Sequence, residues 1–536
     1  MITRINQAPP AVVYGSLAVL LAAVFVPMSL FRLVDGDEGT YLLVSRLVVE
    51  GQLPYHDFHY PQMFLLPYVY GAWMKLVGVS WYGARLLSAV FSVALGLLVA
   101  RQVAYLLHRR AAGVLAGVLF TFSTLAFGWY PLVKTFVFPT LMLFGAYAVL
   151  SWRSTRWKWA ASGFLLGLGI DSRVYLAALT PVFLVELYAS EPRSKDRVMQ
   201  FARFAVGLGV ALLPNELFLL IDPETFVFNV FGHHAIRSGL GPFAMFDQKL
   251  ALAKHMLGIN TVEGVVGFQF LLLFLLNAAS WVSSAITRER LSLAAMISIL
   301  LLAVSFVPTP AYAQYFCMPL PFMLVEAVVF LGKVAGEAPA PRVRHLLASV
   351  LAVYVLVSPF DLHRYTLGGE NLPGVPGVDT RANAVNWRLS TIRAVGQAID
   401  RELRPGREFA ISFWPGYFVE TKAAILPGME NHFAMQLAGW VQPRELTKFR
   451  LMSPAALLWH LEQHTVDVVV IGNWTEWTFR IEWLRSQVVE RGYVMREKIA
   501  GAEIYTLPAA ERQAMKPRAP LAGHPRGEPG SRTPLQ

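Results

Sequence analysis

The sequence predicts an α-helical protein that crosses a membrane about eleven times and carries a small α/β domain after the last crossing. Three observations predict it. Of the 536 residues, 55% are hydrophobic and 15% charged, against about 45–50% and about 25% in an average soluble domain. The apolar residues gather into segments that approach or exceed the length needed to cross about 30 Å of hydrocarbon. Beyond residue 359 the composition turns hydrophilic, and short strand-like and helix-like segments alternate.

The apolar segments fall at residues 11–33, 82–107, 111–130, 133–151, 157–171, 174–189, 201–221, 263–285, 291–307, 313–332 and 344–359. The first is too long for a signal-peptide core and lacks a small-residue cleavage site, so it reads as a retained span. Lys and Arg concentrate in alternate connections, at Arg109/Arg110, Arg153/Arg156/Lys158, Arg193/Lys195/Arg197, Arg288/Arg290 and Lys333/Arg342/Arg344. The positive-inside rule makes those connections cytoplasmic, with the N-terminus. The long loops 34–81 and 222–262 and the C-terminal region then lie outside. The net charge of +11 is therefore an orientation signal, and no nucleic-acid partner is expected. A single cysteine, Cys317, excludes an intramolecular disulfide framework and any cysteine-based metal cluster. Its apolar surroundings read as core.

In residues 360–508, "EFAISFW" (408–414), "DVVVIGN" (467–473) and "EIYTLP" (503–508) read as strands. Residues 386–403, 454–463 and 480–491 show helical apolar spacing. Residues 509–536 have too few apolar side chains to fold and are expected to be disordered.

The candidate chemistry lies in the first outer loop. Asp35, Asp37 and Glu38 fall within four positions, directly after the first apolar segment. Asp35-Gly36-Asp37 has the D-x-D form that holds a metal and a nucleotide-sugar in soluble sugar transferases. Nucleotide-sugars are cytoplasmic, however, and this motif lies on the opposite face. From Glu38 to Glu50, Tyr41, Leu42, Ser45, Val48 and Val49 line one side of a short helix, expected to lie along the membrane interface. "GQLPYHDFHYP" then turns the chain into a second apolar, aromatic piece, "QMFLLPYVYGAWMKLVG". Helix capping accounts for one acid of the cluster, but less readily for three.

The Asp37-Glu38 pair after the first span, Tyr41 three residues on, the Gly51-x-x-Pro54-Tyr55 turn and "GARLLSAVFS" opening the second span resemble the GT-C membrane glycosyltransferases. The similarity is to the bacterial branch related to protein O-mannosyltransferases and to aminoarabinose and galacturonic acid transferases. It is strongest over residues 30–100 and continues through "GFLLGLGIDSRVYLAALTPVF", "NVFGHHAIRSG" and "AYAQYFCMPLPFML". It implies a GT-C fold over residues 1–359 and a polyprenyl-phosphate sugar donor used on the outer face of a bacterial inner membrane. The acceptor would be an envelope glycan, a lipid or a protein. No cofactor is implied, and a divalent metal is not required.

The resemblance also implies site residues. Asp37 matches the family's first-loop acid, the general base that deprotonates an acceptor hydroxyl. Glu38 would orient the base or the acceptor, and Asp35 is a second candidate for the base. Where relatives often have a lysine before a proline, this chain has His59 and Tyr60 before Pro61. Arg173 stands at the place of a second family lysine and reads as a phosphate ligand, since guanidinium forks onto phosphate oxygens. A local Asp171–Arg173 capping pair is the plainer alternative. His234 matches a histidine common in relatives, as a phosphate or sugar contact or as polar surface. Arg85 and Lys134 read as phosphate ligands or interfacial anchors. A flippase or a polymerase of lipid-linked glycans shares the substrate class. Transporters, though, keep their working acids at mid-membrane, and polymerases place their long functional loop late among the spans.

Overall fold

The computed structural model describes residues 2–152, 156–191, 194–237, 242–259, 264–336, 341–368, 381–404 and 409–508. The expected disorder of 509–536 lies outside the described residues. Two compact units form. One gathers Met1–Arg32, Arg85–Asn215 and Leu240–Leu367, and the other gathers Leu33–Ala84, Glu216–Gly239 and Gly368–Gln536.

The first unit is helical. Each of the eleven apolar segments contains helix, in one piece or two. Pro10–Phe31, Trp81–Leu107, Val266–Thr287 and His345–Leu367 are long and apolar enough to cross a membrane, and Lys195–Leu212 with Pro214–Ile221 makes a fifth candidate, bent by 48°. In Pro10–Phe31, Val13, Leu17, Leu21, Phe25 and Met28 are buried at helical spacing. The opposite face is equally apolar yet open, Val19 being 70% exposed. That is the pattern of a helix whose outer solvent is hydrocarbon. Small residues set the closest crossings. A Cβ on Gly163 would sit 2.2 Å from the Phe204 carbonyl oxygen, and one on Gly207 would sit 2.0 Å from that of Ala160. The helices Lys158–Ile170 and Ser194–Leu212 therefore meet backbone to backbone, as small-xxx-small pairs do in membranes.

The second unit contains a five-stranded sheet of β1 (Phe409–Ser412), β2 (Ala424–Ile425), β3 (Val468–Ile471), β4 (Val494–Ile499) and β5 (Ala502–Thr506), in the order β2-β1-β3-β5-β4. β1 is parallel to β2 and β3, and β5 is antiparallel to β3 and β4. β3 is buried on both faces and reads as an unbroken apolar run. The amphipathic helix Leu389–Glu402 buries Leu389, Ile392, Val395, Ala398 and Ile399 and packs on β4 and β5.

The helices Glu38–Val49 and Leu65–Val77 pack together in this unit. Glu38–Val49 was expected as a one-faced interfacial helix. It is instead enclosed almost all round, every residue from Glu38 to Ser45 being buried. The reason is Gly39, whose missing side chain lets the backbone of Gly416 close in. A Cβ there would sit 2.6 Å from the Gly416 Cα.

Valine at Gly207 would force the two helices apart. Overpacking of this kind costs about 1–3 kcal/mol, so Gly207→Val should lower the melting temperature of the detergent-solubilised protein by several degrees. An unchanged melting curve would show that the crossing relaxes freely.

Candidate functional site

In the second unit the acidic turn is held from several sides. Val34 N–H donates to the Trp387 carbonyl at 2.8 Å. The Trp414 indole donates to the Gly36 carbonyl at 2.7 Å. Gly36 lies under the Trp474 ring, where a Cβ would come within 2.2 Å of the indole. The three acids then differ. Asp35 accepts from the Asp37 N–H at 3.0 Å, and the Glu38 carboxylate lies 3.4 Å from the Asp35 N–H. Both are fully buried. Asp37 stands at the N-cap position of helix Glu38–Val49 without a side-chain capping hydrogen bond, and its side chain is 33% exposed. His432 lies beside it, with Nε2 3.4 Å from Asp37 Oδ1. Two residues away burial pushes the Glu430 carboxyl up to about 8, opposed by the Gly428 N–H it accepts and by the Arg450 charge.

The loop after this helix is tied to residues 225–234. Tyr60 N–H donates to Asn229 Oδ1 at 2.7 Å. His59 Nε2 and His233 Nδ1 are 3.0 Å apart, one donating and the other accepting. His234 donates from Nε2 to the Pro61 carbonyl at 2.9 Å. His59 and Tyr60 are fully buried. Burial, with the neighbouring His234, pushes the His59 imidazole from its ordinary 6.5 down to about 3. These histidines join two segments of the second unit.

The first unit holds a row of buried cations separated by aromatic rings. Arg32 lies over Trp129 at 4.8 Å and over Tyr365 at 5.1 Å. Lys134 lies over Trp129 at 5.6 Å and over Phe136 at 5.5 Å, and donates to Gln314 Oε1 at 2.8 Å. Arg173 lies over Phe136 at 4.7 Å, with Tyr175 and Tyr315 at 4.6 and 5.1 Å. Arg173 also donates to the Thr135 carbonyl at 3.1 Å and to the Thr135 hydroxyl. Each ring face attracts a cation through its quadrupole. Arg32, Lys134 and Arg173 are thereby concentrated around two shared rings, Trp129 and Phe136. Arg85 is fully buried, with its guanidinium donating to the Arg32 carbonyl at 2.7 Å and the Ser29 carbonyl at 3.3 Å, so it fastens the end of the first helix. Asp171 accepts from Asn215 at 2.6 Å, whereas Arg173 turns to Thr135.

Residues 61–215 match the family model described as dolichyl-phosphate-mannose-protein mannosyltransferase. Two solved structures of ArnT from Cupriavidus metallidurans are similar over nearly the whole chain. The apo form gives a TM-score of 0.63 at 14% identity, covering 94% of this chain and 99% of that one. The form bound to undecaprenyl phosphate gives 0.62 at 14%, covering 93% and 98%. The chain has the GT-C fold of membrane glycosyltransferases. No curated protein matches the sequence.

Within this GT-C chain, sequence reasoning missed Arg32, Trp129 and His432. Arg32 carries no distinguishing signal, since a basic residue at the end of a span is ordinary, and Trp129 is one of 14 tryptophans. Three cations each one residue or a few from an aromatic ring at a span edge was the signal available for the first two. Nothing local marks His432.

The neutral His59 makes stability depend on pH. Its pKa is depressed on folding, so between about 6.5 and about 3 the unfolded chain takes up a proton that the folded chain refuses. Stability therefore falls as pH drops through that window. His59→Gln should narrow the difference in apparent melting temperature between pH 7.5 and pH 5.5 (values spanning the upper part of the window). An identical difference in both proteins would refute the assignment.

Proposed function

We propose that the chain transfers one sugar from a polyprenyl-phosphate donor to an acceptor hydroxyl outside the cytoplasm of a bacterial inner membrane. The row Arg32–Trp129–Lys134–Phe136–Arg173 carries this reading. Three buried cations around shared rings suit a lipid phosphate, because phosphate is where negative charge builds up as the sugar leaves. The ArnT structure bound to undecaprenyl phosphate and the family model's dolichyl-phosphate-mannose support the donor class.

The acceptor oxygen attacks the anomeric carbon as the carbon–oxygen bond to phosphate breaks, and the acceptor's proton passes to Asp37. Exposure favours Asp37 over Asp35 and Glu38, whose carboxylates are enclosed and tied to the turn. One carboxylate suffices, since a phosphate leaving group needs no acid. Arg and Lys supply the charge a divalent metal would bring, so transfer proceeds in chelator. The N-terminus is cytoplasmic and the C-terminal domain lies outside. The acceptor belongs to the envelope, as glycolipid, polysaccharide or protein.

The test is transfer from radiolabelled polyprenyl-phosphate sugars to membrane-extract acceptors by the full chain in nanodiscs. Asp37→Asn should lower kcat by at least about 10²-fold. Arg173→Gln should raise the donor KM about 10-fold or more, in line with the roughly 1.5 kcal/mol minimum for a hydrogen bond to a charged group. No transfer from any donor by folded protein would overturn the reading. Full turnover in Asp37→Asn would move the base to another residue.

A further inference from the structure

The Asp37 carboxylate has a neighbour that comes from the far end of the chain. His432 Nε2 lies 3.4 Å from Asp37 Oδ1, and His432 Nδ1 lies 2.9 Å from the Thr40 hydroxyl, 392 positions away. Thr40 stands one helical turn after Asp37, so the two share a face of the helix. The imidazole is 2% exposed. Phe433 covers it at 4.1 Å and Trp474 at 4.4 Å between ring centroids. The segment that presents it is braced by its own side chains. Glu430 accepts from the Gly428 N–H at 2.9 Å, and Asn431 accepts from the Phe433 N–H at 2.8 Å.

We infer that His432 is the positioning residue of the Asp37 base, with Thr40 setting its tautomer. The role of Asp37 as base rests on the function proposed above. A carboxylate only accepts hydrogen bonds, so the proton facing Asp37 must be on His432 Nε2. The neutral ring then carries a lone pair on Nδ1, which receives the Thr40 hydroxyl proton. The chain of donation therefore runs from Thr40 Oγ1 to Nδ1, and from Nε2 to Asp37 Oδ1. It orients the carboxylate that takes the acceptor's proton. At 3.4 Å the two groups are in ionic contact without yet forming a hydrogen bond, and catalytic hydrogen bonds often tighten only when substrate binds. Asp37 faces the ring as an acid, Thr40, Phe433 and Trp474 face it uncharged, and Glu430, two residues along the same segment, is held largely protonated at neutral pH by its raised pKa.

Two measurements test this on the full chain in nanodiscs. In the transfer assay, His432→Ala should lower kcat by about 10²-fold, the scale of loss when a reacting group is misplaced by about 1 Å, while donor KM stays unchanged. His432→Gln, whose terminal amide can reach Asp37 in place of Nε2, and Thr40→Ser should recover most of that loss, whereas Thr40→Val should not. Wild-type kcat in a folded His432→Ala protein overturns the inference. The second measurement needs no donor. Nitrogen-15 spectra of labelled histidine, with His432 assigned by its disappearance in His432→Gln, should show the Nε2–H tautomer in wild type. The titration of that ring should shift to lower pH in Asp37→Asn. A wild-type ring protonated at Nδ1, or a titration indifferent to Asp37→Asn, overturns the inference even if no sugar is transferred. Failure of transfer with the expected spectra would instead strike the proposed reaction alone.

Discussion

Two glycines and two tryptophans fix the acidic turn, and the second unit is built around that constraint. Gly36 admits the face of Trp474 and Gly39 admits the backbone of Gly416 at distances no side chain would allow. The Trp414 indole then closes a hydrogen bond onto the Gly36 carbonyl. With the backbone pinned so tightly, Asp35 and Glu38 turn inward to satisfy it and Asp37 remains on the accessible side. The separation of roles among three neighbouring carboxylates is thus a result of packing. Their own chemistry is nearly the same.

The first unit meets the opposite problem, that of keeping positive charge where water is scarce. Burying an isolated ion is costly, and in practice such groups are paired or held by fixed dipoles. Aromatic faces serve here as fixed negative surfaces. Trp129 is shared by Arg32 and Lys134, and Phe136 by Lys134 and Arg173.

Much of this architecture was legible in the sequence, because hydropathy and period are local properties. Helix Glu38–Val49 and strands β1, β3 and β5 fall within a residue or two of where apolar patterning put them. β2 has two residues, too few to show any period. β4 reads Val-Met-Arg-Glu-Lys-Ile and is largely exposed, an edge strand whose charges hide it from a search for apolar alternation. Arg173 was visible because it stands at the place of a lysine in the resembling family and because an ionisable residue among apolar ones is unusual. Arg32 was not, because a basic residue at the end of a span is ordinary. The enclosure of Glu38–Val49 and the approach of His432 to Asp37 depend on pairings hundreds of positions apart, and no local pattern encodes them. The pinning of His59 and Tyr60 to residues 225–234 is of the same kind.

The separation between Thr40 and His432 also bears on how the protein is made. The acidic turn leaves the ribosome with the first span, whereas the imidazole that completes it follows 392 residues later. Throughout insertion the carboxylate lacks this partner, along with Trp414 and Trp474, which grip its turn. In the nascent chain the turn therefore stays without the groups that hold it until residues 414, 432 and 474 have been made and the second unit has folded.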